Sequence, residues 1–330
     1  MSDTVAAKLV QILVEAGVRR IYGIVGDSLN AITEEIRRNG SIEWVHCRHE
    51  EAAAFAAGAE AQLTGRLAVC AGSCGPGDLH LINGLYDCHR TGAPVLAIAA
   101  HIPTAEIGTG YFQETHPERL FLECSHYCEV VASPVQMPRT AQMAIQHAVA
   151  MGGVATLILS GDVALETVPA SNFSHLPATA RPCVRPSDED LKRLAALLQE
   201  SKRITFLCGA GCAGAHEQLL ALAEALKAPI VHSLRGKEHV EHDNPYDVGM
   251  TGLIGFASGY QAMMACDALL MLGTDFPYVQ FYPSKARIAQ IDIRAERLGR
   301  RCKLELGLAG DIIPTAFRSD SLAISLSMVS

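Results

Sequence analysis

No run in the 330 residues is apolar for long enough to cross a bilayer, and the N-terminus carries no signal-peptide pattern. Positive charge is in deficit: 27 Lys and Arg stand against 35 Asp and Glu, a net charge of −8. A general nucleic-acid partner is therefore not expected. The 11 cysteines lie scattered in apolar segments rather than set out as a disulfide framework, which suits a reducing, cytoplasmic setting. The 13 histidines show no ligand spacing. Cys124, His126 and Cys128 come nearest to a metal site, but no second ligand pair completes it. Cys74, in a Gly-rich turn beside Cys70, is a weak candidate nucleophile. What remains is an ordinary globular balance, 49% hydrophobic and 19% charged, at a length that suits two domains.

The chain is organised around residues 44–65, WVHCRHEEAAAFAAGAEAQLTG. A short β-type run ends in the charged cluster Arg48, His49, Glu50, Glu51, and a helix of almost purely small residues follows. Such a helix lets other backbones or a ligand come close. Glu50 sits at its N-terminal end, where the helix dipole favours negative charge. A carboxylate there is either a cap or a working acid–base group.

Before it, apolar residues Val5, Leu9, Ile12 and Leu13 predict a helix over 3–16, and a strand over 20–25 runs into Gly26, Asp27 and Ser28. That turn either receives a ligand or simply caps the next helix. After it, a strand over 67–71 opens into Gly72 to Gly77 and a helix over 78–89. Further buried strands are expected over 94–100 and 155–159. Continuous apolar strands alternating with helices imply a parallel sheet covered on both faces. The loop 108–116, GTGYFQETH, carries Phe112 and Gln113 and has the character of a functional loop. Residues 166–187, with four prolines and little periodicity, read as a linker.

A second βα series starts with a helix over 188–200 and a strand over 204–208, then Gly209 to Gly214, a GxGxxG between strand and helix. Strands follow over 229–232, 268–272 and 287–293. An NAD site needs an acid at the end of the next strand, and His232-Ser233 stands there instead. Asp292, at the end of a later strand, either accepts from a nucleotide ribose or caps the strand end. Gly249 to Gly255 and Gly273 to Tyr278 could line the same crevice. The fold class expected is α/β, with two doubly wound parallel-sheet domains, the second of Rossmann type.

The segments RHEEAAAFAAGAEAQLTG, AGSCGPGDLHLINGLYDCHR, GYFQETHP, RGKEHVEHDNPYDVGMTGLIG and QIDI resemble thiamine-diphosphate-dependent enzymes, above all their pyruvate-oxidising flavoprotein branch. The resemblance runs from about residue 4 to about residue 311. It implies a pyrimidine-binding domain over 1–182, a central FAD-binding domain over 183–311 and a divergent tail over 312–330. Glu50 matches the catalytic glutamate that hydrogen-bonds the aminopyrimidine of thiamine diphosphate and promotes its imino tautomer. Gly26, Asp27, Ser28, Gly75, Pro76, Gly77, Phe112 and Gln113 match segments lining the thiamine site. Thr251, Gly252, Leu253, Ile254, Thr274, Asp275, Phe276, Pro277, Tyr278 and Asp292 match segments holding FAD. The implied reaction converts pyruvate to acetate and carbon dioxide, with electrons passing through FAD to ubiquinone, in a homotetramer that touches the inner membrane peripherally.

The family also holds Mg²⁺ and the diphosphate on a Gly-Asp-Gly motif followed by Asn. Here the Gly-Asp pairs at 26, 161 and 310 lead to Ser28, Val163 and Ile312. The expectation is a truncated chain that binds FAD but does not turn over pyruvate alone. The alternatives are an acetolactate-synthase-like carboligase and a non-catalytic FAD-binding or subunit-interaction remnant.

Overall fold

The computed structural model describes residues 3–169 and 183–316. The chain divides into two compact units, Met1–Ala180 and Arg181–Ser330. Each is built on a parallel six-stranded sheet.

The first sheet contains β1 (Arg20–Gly23), β2 (Glu43–His46), β3 (Ala68–Gly72), β4 (Val95–His101), β5 (Tyr127–Val130) and β6 (Val154–Ser160), in the order β2-β1-β3-β4-β6-β5. Every residue of β3, β4 and β6 is buried, as expected for central strands covered on both faces. Alternate residues serve two cores. Val69, Ala71, Leu96 and Ile98 pack with Leu9 and Leu13 of helix α1 (Val5–Glu15) and Ile32 of helix α2 (Asn30–Asn39). Ala68, Cys70, Val95 and Ala97 pack with Ala53 and Ala57 of α3 (Glu50–Thr64) and Leu81 and Leu85 of α4 (Pro76–Thr91).

The small residues of α3 let α4 approach closely. A Cβ on Gly58 would lie 2.6 Å from Cys88 Sγ, and one on Gly84 would lie 2.6 Å from the Ala54 Cβ and 2.9 Å from the Glu51 carbonyl oxygen. Two elements here lie beyond the sequence reading: the edge strand β5 and the helix Met137–Met151. Residues 124–128 belong to β5 and its approach rather than to a metal site. Cys124 Sγ donates to the Phe121 carbonyl at 3.6 Å, and burial pushes its thiol up to about 11. Burial likewise pushes the Cys128 thiol up to about 12. Protonated thiols of this kind are poor metal ligands.

The second sheet contains β7 (Ile204–Cys208), β8 (Ile230–His232), β9 (Asp247–Met250), β10 (Ala268–Leu272), β11 (Arg287–Asp292) and β12 (Leu306–Ala309), in the order β12-β11-β10-β7-β8-β9. Its helices include Asp188–Gln199, capped by the Ser187 side chain, His216–Leu226 and Ala257–Ala265. The expected glycine-rich loop 249–255 begins as the end of edge strand β9. Residues 312–316 form a short helix whose Ile312 is buried in the second core. Ordered structure therefore continues past residue 311, while 317–330 lie outside the described residues. The ends of the linker are tied down: Val5 N–H donates to the Glu166 carbonyl at 2.9 Å, and Val184 N–H donates to Asp311 Oδ2 at 2.8 Å. Its middle, 170–182, lies outside the described residues.

Candidate active site

In an open parallel sheet, ligands bind beyond the carboxyl ends of the strands where the strand order reverses. In the first unit that point lies between β1 and β3, with β2 alongside. Three of the singled-out segments leave these strands: Gly26 to Ser28 after β1, Glu50 after β2, and Gly72 to Gly77 after β3.

Side-chain contacts bind these segments together. Ser28 Oγ and Ser73 Oγ are 2.8 Å apart, and Cys74 N–H donates to Ser28 Oγ at 3.1 Å. Gly26 faces the same serine, since a Cβ there would lie 2.2 Å from Ser73 Oγ. Asp27 is exposed, and its Oδ1 accepts the Ser28 N–H at 2.8 Å. Asp27 therefore braces its own turn. Gly75, at φ +70°, brings its backbone against Gln113, where a Cβ would lie 2.7 Å from the Gln113 carbonyl oxygen. Gln113 is itself left-handed, at φ 64°. Cys74 donates to Gln113 Oε1 at 3.6 Å, and burial raises its thiol above the ordinary range, which counts against a nucleophile. Pro76 opens α4 and is exposed, as is Phe112, at 78%. The loop 108–116 is organised by Glu114, whose carboxylate accepts from the N–H groups of Gly108, Gly110 and Tyr111. Those bonds, that of Gly108 first, hold its carboxyl below the usual range.

Glu50 is the first residue of α3 and is 7% exposed. It is not the cap, because His49 takes that place: His49 Nδ1 accepts the Glu51 N–H at 3.2 Å. Glu50 Oε2 lies 3.0 Å from His80 Nδ1, and its Oε1 lies 3.3 Å from where a Cβ on Gly77 would stand. The His49 and His80 rings stack with centroids 4.3 Å apart. Beside them Asp78 is fully buried, and neither of its carboxyl oxygens has a hydrogen-bond partner. Burial first, and the Glu50 charge second, raise its carboxyl well above the usual range. Sequence reasoning missed His49, Asp78 and His80. Their proximity to the singled-out Glu50 and Gly75-Pro76-Gly77 was the available signal.

In the second unit the order reverses between β7 and β10. There Gly209 and Gly211 do not form an open phosphate cradle, because both pack on the β10 loop. A Cβ on Gly209 would meet the Gly273 carbonyl oxygen at 2.5 Å, and one on Gly211 the Gly273 Cα at 2.6 Å. Thr251 and Thr274 are buried, and Thr251 Oγ1 has no hydrogen-bond partner. Leu253 and Ile254 are exposed, while Gly252, at φ +112°, is backed by Phe276 and Tyr278. Pro277 is exposed, and Asp275 is paired with Arg300 and Arg301.

Asp292 Oδ1 accepts the Arg294 N–H at 2.9 Å, the strand-end cap. Burial raises the Asp292 carboxyl despite that bond. The folded chain thus holds this proton to higher pH than the unfolded chain. Stability is lost as pH climbs above the ordinary carboxylate range and toward the folded value. Asp292→Asn keeps the acceptor and removes the titration. Urea midpoints of the two proteins are expected to lie closest near pH 4 and to separate in favour of the variant by pH 8.

The thiamine pyrophosphate enzyme N-terminal TPP binding domain matches residues 3–120, and the central domain of the same enzymes matches residues 191–317. The chain is 64% identical over 317 residues to an uncharacterized 42.6 kDa protein of the isoamylase 3′ region in Pseudomonas amyloderamosa, covering 96% of this chain and 80% of that one. It is 37% identical to YdaP of Bacillus subtilis, whose name assigns it thiamine pyrophosphate, over 93% of this chain and 54% of the relative. Pyruvate oxidase of Lactiplantibacillus plantarum is 29% identical, over 92% and 52%. Proteins named acetolactate synthase reach similar identity, 28% in Arthrospira platensis. Beyond the first of these relatives, the chain spans about half the length of those it matches. The two matching domains and the 64% relative together show that the chain belongs to the thiamine-diphosphate-dependent enzymes.

Proposed function

We propose that these residues form the aminopyrimidine-binding and central domains of an enzyme that oxidatively decarboxylates pyruvate, with FAD on the central domain and a quinone as final acceptor. The observation that carries the reading is Glu50: a buried carboxylate at a helix N-terminus, with Oε2 engaged by His80 and Oε1 on the Gly77 side. Thiamine diphosphate, when bound, supplies the carbon nucleophile that decarboxylates a 2-oxo acid.

The residues around Glu50 fit the aminopyrimidine. Oε1 can carry the proton that hydrogen-bonds to a ring nitrogen of the aminopyrimidine, the absent side chain of Gly77 leaves room for the ring, and the Gly75 to Gly77 backbone lies alongside. Glu50 then exchanges one proton with that nitrogen, as a desolvated carboxylate can. In the second unit, the unpartnered Thr251 hydroxyl and exposed Leu253, Ile254 and Tyr278 suit a flavin's polar edge and apolar ring. A ribose hydroxyl would be taken up by Asp292, at the end of β11.

The diphosphate and Mg²⁺ require other donors. Each Gly-Asp aspartate is already engaged: Asp27 by Ser28, Asp162 by Thr104 and Asp311 by Val184. The similar identity to pyruvate oxidase and acetolactate synthase keeps a carboligase as the second reading.

The test is an anaerobic visible spectrum of the purified chain, before and after pyruvate, thiamine diphosphate and Mg²⁺. A flavin band that persists is expected. A band that bleaches would show a complete site within this chain. No flavin band would remove FAD from the central domain.

A further inference from the structure

Among the described residues, one place gathers three metal-ligating side chains. Ligand atoms of His49, Glu50 and His80 all lie within 4.8 Å of one another. We propose that this cluster binds a divalent transition metal ion of the zinc, cobalt or nickel kind.

The donor set selects that class. Two imidazoles and one carboxylate are the three protein ligands of an open zinc site, with water completing the shell. Magnesium and calcium prefer oxygen donors throughout.

The geometry is close to what such an ion needs. Bonds of about 2.0–2.1 Å in a tetrahedral shell put two ligand atoms about 3.3 Å apart. His80 Nδ1 and Glu50 Oε2 stand 3.0 Å apart, so this pair need open only slightly. A metal ion would take the place of the hydrogen bond between the two atoms and release its proton. The third ligand has further to travel, but His49 is exposed and already stacked on His80, so its ring can swing without repacking the core. If it binds through Nδ1 it gives up the Glu51 N–H, and through Nε2 it keeps that bond. Glu50, fixed by burial on the first turn of α3, is the rigid anchor. The positive end of the α3 dipole opposes a cation here, and the charges of Glu50 and Glu51 offset it.

The site goes beyond the thiamine reading, but one consequence rests on it. An ion on Glu50 and an aminopyrimidine on Glu50 exclude each other.

The test is a Co²⁺ titration of the full chain, followed by d–d absorption. The wild type is expected to take up cobalt with a d–d band and no thiolate charge-transfer band at this site. His49→Ala and His80→Ala should each weaken binding at least about tenfold, since losing a ligand costs no less than losing an outer-shell partner. The double variant should lose the band. Both histidines are exposed, and cooperative thermal melts would confirm that the variants fold, that of His49→Ala at a lower midpoint because it loses the α3 cap. No band in the wild type, or the same band and affinity in the double variant, would overturn the site. Thiamine, which lacks the chelating diphosphate, should raise the apparent cobalt Kd. Failure of that arm alone would count against Glu50 as the aminopyrimidine's partner and leave the metal site standing.

Discussion

Gly84→Val is expected to destabilise the first unit by about 3 kcal/mol or more, the upper end of overpacking costs. Its Cβ would lie 2.6 Å from the Ala54 Cβ, 2.9 Å from the Glu51 carbonyl oxygen and 3.0 Å from the Phe55 nitrogen. Two of those atoms are backbone, so no rotamer change relieves the clash, and α3 and α4 must separate. Gly84→Ala sets two effects against each other. Helix propensity favours alanine by about 1 kcal/mol, while overpacking costs about 1–3 kcal/mol, so a net loss is expected. Gly58→Ala should cost less, because it meets the Cys88 Sγ, the tip of a side chain that can turn. Urea unfolding of the three variants tests that order. A Gly84→Ala protein as stable as the wild type would mean that the helices are not held this tightly. The site depends on the same contact, since Glu50 and Glu51 form the first turn of α3 and His80 lies on α4.

The residues that announced the fold are those buried on both faces of a sheet. The segments 94–100 and 155–159 read as strands because β4 and β6 are largely apolar and covered on both sides. The strands that sequence reasoning passed over, β5, β9 and β12, all lie at sheet edges. An edge strand is partly solvated and lacks a continuous apolar run: Tyr127–Val130 carries the exposed Glu129, and Asp247–Met250 includes a glycine. β5 was therefore open to a chemical misreading, as part of a metal cluster. The site was legible to a similar depth. Glu50 stood out because a carboxylate opening an alanine-rich helix is a local signal. Its engagement by His80, 30 residues away, is a product of α3 packing on α4, and no spacing in the sequence encodes it. The Gly209 to Gly214 motif failed for the same reason: only the fold shows that Gly273 fills the space.

Asp78→Asn is expected to stabilise the protein relative to the wild type at pH 8, because it removes a buried acid whose charged form the fold disfavours. The side chain is fully buried, and neither carboxyl oxygen has a partner. A charge in that position is costly, so burial and the neighbouring Glu50 favour the protonated acid. Above the ordinary carboxylate range an unfolded chain releases this proton, and folding must either recapture it or bury the charge. The stability so lost grows as pH rises above the ordinary carboxylate range. Asparagine has nearly the same shape and no proton to recapture. Its gain should therefore shrink toward pH 4, where the wild-type carboxyl is also neutral in the unfolded chain. Chemical denaturation at the two pH values measures the difference. A variant less stable than the wild type at pH 8 would mean that the folded protein uses the carboxylate as an anion. A stabilised variant would show that Asp78 costs the fold free energy in its resting state. That cost falls beside the one buried carboxylate to which the family resemblance assigns the chemistry, where a neutral acid can still donate a hydrogen bond as well as accept one. Stability sacrificed at such a position is the usual mark of a residue kept for what it does to a ligand.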